Sequence, residues 1–152
     1  MTYEGLVEEA ALKGIEICET SFKGTGKGFH IEDTIFINRS LSNVEKKCIL
    51  AEELGHVNKT LGNIIDQTKT ENRKQEIVAR RWGYEKIVGI LNLIEAFEKG
   101  ARTRYDVAEY LEITEQFLSE AISYYKQKYG LYFEIDNYII YFEPTLGVVK
   151  RF

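Results

Sequence analysis

Leu6, Ala10 and Leu12 stand among glutamates in the first thirteen residues, and Gly14 follows. That spacing predicts a short amphipathic helix over 3–13 closed by its glycine. Residues 15–20 then alternate apolar and polar, as a strand does. After a glycine-rich stretch the pattern becomes a hairpin: residues 28–31, a Glu32-Asp33 turn, and residues 34–38, rich in β-branched and aromatic side chains. Ser42 followed by Glu45 is a capping box, and Val44, Cys48, Ile49 and Leu50 continue at helical spacing as far as His56. The polar run 58–70 reads as a loop. Thr68 with Glu71 repeats the capping box and predicts one long helix over 71–97, with Ile77, Trp82, Ile87, Val88, Leu91 and Ile94 as core positions. Past Lys99-Gly100, two helices over 105–111 and 115–128 are expected. A hairpin with an Asp136-Asn137 turn follows, closed by Pro144. Strands and helices in this order make an α+β chain, divided by the punctuation into 1–99 and 100–152.

Composition narrows the partners. With 44% hydrophobic residues, a 152-residue chain can bury a real core. Twenty basic against 24 acidic residues give a net charge of −4, so no global positive field draws in nucleic acid or anionic lipid. No apolar run suggests a membrane span, and the N-terminal MTYEGLVEEAALKG lacks the regions of a signal peptide; a cytoplasmic protein is expected. Cys18 and Cys48 form no spaced motif and read as buried thiols. The stretch SFKGTGKG has the glycines of a phosphate loop. Gly28 nevertheless follows Lys27 where such a loop needs Ser or Thr, so it reads as an ordinary loop.

The chemistry concentrates in CILAEELGH, residues 48–56. On a helix Glu52 and His56 share a face, so both can address one ion, while Glu53 lies about 100° around the axis, beside it. Two helix ligands leave a catalytic zinc short of one protein ligand and an open position for water. Glu76, twenty positions beyond His56 on the next helix, can supply that third donor. The candidate set is therefore Glu52, His56 and Glu76 for a divalent metal, zinc or an oxygen-preferring ion such as Mn²⁺, with Glu53 as general base.

Three stretches carry a resemblance to a known family: the strand Thr34–Asn38, the run CILAEELGH, and ENRKQEIVARRWGYEKIV with Glu76, Ala79 and Trp82. Over residues 1–95 the chain resembles the ImmA/IrrE-type metallopeptidases, relatives of the minimal gluzincins found on phages and mobile elements. The resemblance implies a small zincin-like core, made of an edge hairpin, a metal-site helix and a long second helix. The remainder is a C-terminal helix-turn-helix and hairpin subdomain. It also implies endopeptidase activity on a protein substrate, typically a phage or mobile-element repressor. Glu53, His56 and Glu76 carry over from the family pattern. Glu52 stands where the family has histidine.

Three readings of position 52 stay open: Glu52 as a carboxylate ligand, a site completed by another residue such as His30 or Asp66, and a solvated Glu52 with catalysis lost. Within its short strand His30 reads as a surface or packed residue. If the site works, an edge strand at 34–38 could pair with an extended peptide. Two other functions compete. One is an inactive binding protein that keeps the fold to hold a repressor or other partner. The other is a winged-helix DNA-binding protein, suggested by the order of elements after residue 100. Against the latter, its would-be recognition helix carries Glu115, Gln116, Ser119, Glu120 and Ser123, and residues 100–152 hold six basic against eight acidic side chains.

Overall fold

Thr2, in extended backbone, starts α1 (Tyr3–Leu12) by accepting the Gly5 N–H on its side-chain oxygen. The helix closes ahead of Gly14, whose φ of 78° suits a residue without a Cβ. Strands β1 (Glu16–Thr20), β2 (Gly28–Ile31) and β3 (Thr34–Asn38) form a sheet in the order β1-β3-β2. The β2–β3 hairpin is antiparallel, as its alternation predicts, and β1 pairs parallel with β3. This corrects the expectation that Thr34–Asn38 is an edge strand. β1 takes the free side of β3, so β3 is central, with Ile35 and Ile37 fully buried, and the hairpin edge belongs to β2.

The structure, a computed structural model, describes residues 1–59 and 69–152. The expected Thr68–Glu71 capping box, most of the 58–70 loop and Asp66 lie outside what is described. Ser42 caps α2 (Asn43–Lys59) as expected: its Oγ accepts the Glu45 N–H at 3.2 Å, and its own N–H donates to Glu45 Oε1 at 3.2 Å. The single helix expected over 71–97 is two, α3 (Lys69–Ile87) and α4 (Ile90–Glu98). Gly89 interrupts them in extended backbone and gives its N–H to Asn92 Oδ1 at 3.1 Å, so it caps a new helix instead of continuing the old one. The break resets the helical phase, which explains why Leu91, an expected core position, is 67% exposed. Ile77 is 42% exposed for another reason: the face of α3 turned to α2 is lined by small residues, not by its large apolar ones.

Two compact units result, Met1–Gly83 and Tyr84–Phe152. In the first, one carboxylate ties three elements together. Glu19 on β1 accepts from Tyr3 of α1 at 3.0 Å and from the buried Lys46 of α2 at 2.6 Å. The hydrogen bond from Lys46, aided by Tyr3, holds the Glu19 carboxyl below its ordinary value of 4.5. A carboxylate depressed on folding contributes stability above its unfolded pKa, and that contribution fades as pH falls through the folded value. Glu19→Gln is therefore expected to lower the melting temperature modestly at neutral pH, since the pair is partly solvated. The variant and the parent should converge in acid. Thermal melts across that range, run in parallel on both proteins, test this; a constant offset at every pH would contradict it.

The second unit follows its sequence closely. A capping box between Thr103 and Asp106 starts α5 (Arg104–Leu111). Glu112, at φ 57°, turns the chain, and Thr114 caps α6 (Glu115–Tyr129). Strands β4 (Tyr132–Ile135) and β5 (Tyr138–Tyr141) form the expected hairpin through Asp136-Asn137. A further strand, β6 (Gly147–Lys150), pairs with β5. Its four residues offer only Val148 and Val149 as apolar signal, too short for periodicity to find. The core gathers Leu93, Val107, Leu118, Ile140 and Phe142, and the buried Tyr125 donates its hydroxyl to the Val88 carbonyl at 2.8 Å. Among the described residues no helix is long and apolar enough to cross a membrane.

Candidate metal centre

The centre is built where β2, α2 and α3 meet in the first unit. In an antiparallel pair, directly opposed residues share a face. His30 opposes Ile35 and Gly28 opposes Ile37, and both isoleucines are fully buried, so His30 and Gly28 face inward, toward α2. Phe29, on the other face, stacks on Phe36 at 4.9 Å. Gly28 lets the strand come close: a Cβ there would stand 2.6 Å from Ile49 Cγ2 and 3.7 Å from Glu53 Cγ. A side chain at 28 would lift β2 off the helix.

With the strand so placed, His30 Nδ1 lies 3.0 Å from Glu53 Oε2, and the Glu53 side chain is only 14% exposed. One turn on, His56 Nε2 lies 3.0 Å from Glu76 Oε2. The rings of His30 and His56 stack, their centroids 5.7 Å apart and their planes inclined by 26°. Two imidazole–carboxylate pairs thus lie side by side, drawn from one strand and two helices. Arg80, one turn beyond Glu76, sets its Nε 3.7 Å from Glu76 Oε1, an exposed pair of small energetic weight.

Gly55 makes the meeting of α2 and α3 possible. A Cβ at 55 would fall 2.2 Å from the Ala79 carbonyl oxygen, and one at Gly83 would fall 3.3 Å from the Ala51 carbonyl oxygen. Ala51 and Gly55 on α2, and Ala79 and Gly83 on α3, are each four apart, so each pair forms a stripe of small residues along one face. The helices cross backbone to backbone, which brings His56, next to Gly55, against Glu76, one turn before Ala79's neighbour Arg80.

Of the residues expected to hold a metal, the structure brings His56 and Glu76 together and sets Glu53 beside them. Glu52, half-buried, lies one turn before His56 on α2. The sequence offered His30 only as an alternative donor and favoured reading it as a surface or packed residue. The signal that could have found it was the hairpin register, since a residue opposite an inward isoleucine points inward too. Among the described residues no three His, Cys, Asp or Glu side chains stand ready as a ligand group. The donor chemistry nevertheless suits a divalent ion. Two donors on one tetrahedral ion at zinc bond lengths are separated by roughly 3.3–3.5 Å. His56 Nε2 and Glu76 Oε2, an ion pair at 3.0 Å, need to part by only a few tenths of an ångström to reach that spacing.

The family model of the IrrE N-terminal-like domain, a peptidase family, matches residues 10–123, three quarters of the chain. The chain belongs to the IrrE N-terminal-like family. The match runs from α1 through most of α6 and takes in His30, Glu52, Glu53, His56 and Glu76. Membership in the IrrE N-terminal-like family accords with the small zincin-like α+β architecture, and it implies a metallopeptidase-type function, a divalent metal and a protein substrate. No curated protein matches the chain.

Proposed function

We propose that the protein is a metal-dependent endopeptidase, and the observation that carries the reading is the 3.0 Å approach of His56 Nε2 to Glu76 Oε2 across two helices. His56 and Glu76 hold the ion, zinc by the preference of a mixed nitrogen and oxygen donor set. By helical spacing Glu52 is the third donor, while His30 on β2 lies against Glu53. When bound, the ion supplies a Lewis acid that polarises the attacking water and the scissile carbonyl. Glu53 takes the water's proton on its carboxylate and passes it to the leaving amine. His30, 3.0 Å from Glu53 Oε2, fixes one oxygen of that carboxylate and leaves Oε1 for the proton. β2, the sheet edge beside the centre, can take an extended peptide as an added strand, with side-chain pockets setting specificity. A cytoplasmic phage or mobile-element repressor is the substrate class that fits the family.

Glu53→Gln removes the base and keeps its shape. Its peptide cleavage should fall by about 10²–10⁴-fold while Zn²⁺ affinity stays near that of the parent. Mass spectrometry of a proteome-derived peptide library, incubated with each zinc-loaded protein, reads the first quantity, and chelator competition the second. Lost zinc binding in this variant would mean that Glu53 is a ligand and that the roles of Glu52 and Glu53 are exchanged.

Glu52 in the place of histidine favours a second reading, an inactive protein of the same fold that binds a repressor or other protein. Zinc binding without any cleavage in the library would support it. For the second unit, α6 exposes Glu115, Gln116 and Ser123, a face suited to a protein surface better than to DNA phosphates.

A further inference from the structure

In the second unit β6 ends the sheet order β4-β5-β6, and among the described residues no strand pairs with its outer side. In an antiparallel pair, bonded and non-bonded positions alternate. Arg151 donates its N–H to the Asn137 carbonyl, so Val149 and Gly147, two and four residues back, also turn their backbone groups to β5. β5 agrees: Phe142 donates to Leu131 on the β4 side, which leaves Tyr141 and Ile139 to β6. Val148 and Lys150 therefore present their N–H and C=O groups along the free edge. Val148 lies opposite the fully buried Ile140, so the side chains of both residues belong to the inner face of the sheet. A cleft of about 410 Å³ opens there between β6 and the end of α4, with Phe97, Leu146 and Val148 as apolar wall and Arg102 and Lys150 as cations. Backbone edge and cleft thus lie side by side.

We propose that β6 takes an extended acidic segment of a protein partner as a fourth strand, with alternate side chains set into this cleft and a glutamate or aspartate among them held by Arg102 and Lys150. Main-chain bonds supply the attachment in such strand addition, and the pockets for alternate side chains supply the choice. Charge makes the choice here. Arg102 Nη1 donates to the Phe97 carbonyl at 3.0 Å and the Ala101 carbonyl at 2.6 Å, which pins the guanidinium and leaves Nη2 and Nε for a carboxylate. Lys150 Nζ lies 5.6 Å from the centre of the Tyr138 ring. Among the described residues neither cation forms a salt bridge. Glu98, the carboxylate in the lining, already accepts the Tyr138 hydroxyl. The cleft is therefore locally cationic on a chain whose net charge is −4. A second copy of the chain suits the edge poorly, because it would bring its own Lys150 against the first. On the outer face Val149, 49% exposed, favours apolar residues at the intervening positions of the segment.

A fluorescein-labelled hexapeptide of alternating valine and glutamate, followed by anisotropy with the intact protein in chelator, is the probe. No metal or cleavage enters, so the outcome leaves the metallopeptidase reading where it stands. The peptide should bind about 10-fold or more tightly than its analogue with lysine for glutamate, and the advantage should shrink as salt rises. Lys150→Glu should remove or reverse that preference. Methylating one alternate set of peptide amide nitrogens should weaken binding by about 10-fold or more and methylating the other set should change it little, because only one set faces β6. Amide resonances of Arg102 and residues 147–150 should shift on titration. Equal affinity for the two peptides, equal effects of the two methylations, shifts centred elsewhere, or no binding at millimolar peptide would each overturn the proposal. A dimer in sedimentation that Val148→Pro dissolves would give the edge to a second copy and overturn it too.

Discussion

Gly55→Ala is expected to destabilise the protein by about 3 kcal/mol, near the upper end of what overpacking costs. In a solvent-exposed helix the same change would stabilise by about 1 kcal/mol, because alanine is the better helix former. The sign is reversed here by one contact: the new Cβ would stand 2.2 Å from the Ala79 carbonyl oxygen, and that atom is backbone, with no rotamer into which it can retreat. The helices must separate, and His56 and Glu76 must separate with them, so Zn²⁺ affinity should drop together with stability. Gly83→Ala, whose Cβ would meet the Ala51 carbonyl oxygen at 3.3 Å, should do the same in milder form. Chemical denaturation of the three proteins, with zinc titration alongside, gives the comparison. A Gly55→Ala protein more stable than the parent would mean that α2 and α3 do not touch at this point.

The second large effect is a loss of response. Zinc that binds only the folded chain stabilises it by about 2.7 kcal/mol at a hundred times its dissociation constant. For a protein of this size that corresponds to a rise in melting temperature of roughly 5–10 °C. Glu76→Ala should abolish most of this rise, because it removes the carboxylate that lies 3.0 Å from His56 Nε2. Arg80→Ala is the control on the same helix: it deletes only the 3.7 Å exposed partner of Glu76 and should keep the rise nearly intact. Calorimetric scans with zinc and with chelator measure both. Equal shifts in the Glu76→Ala variant and the parent would exclude Glu76 as a ligand.

What could be read from the chain was whatever is decided locally. The Ser42–Glu45 box, the Glu32-Asp33 and Asp136-Asn137 turns and the glycine after α1 are each fixed by neighbours within a few residues, and each stands where expected. Three things were set by distant partners instead. β3 is central because β1, a strand earlier in the chain, pairs with its free side. The break at Gly89 divides a pattern that reads as one helix, since a single glycine inside an apolar repeat is tolerated in a helix and need not end it. The face of α3 against α2 is marked by Ala79 and Gly83, residues that a search for large apolar side chains passes over. Glu52, Glu53, His56 and Glu76 were nominated by spacing, and all but Glu52 by family likeness as well. His30 was favoured as a surface or packed residue because its place is tertiary: nothing within its own strand tells that a helix carrying a second imidazole passes overhead.

The crossing of α2 and α3 also bears on ionic radius. Where side chains interdigitate, the spacing of two helices can be adjusted by a methyl group in either direction. Between Gly55 and Ala79 no side-chain layer exists to be thinned, so the spacing has a hard lower limit and can be altered only outward. The gap between His56 and Glu76 inherits that limit. A small cation with bonds near 2 Å asks the gap to widen by only a few tenths of an ångström, whereas a large one such as Ca²⁺, with bonds of about 2.3–2.6 Å and a demand for more oxygens, must pry the helices further apart. Discrimination by size would then reside in two residues, Gly55 and Ala79, that never touch the ion.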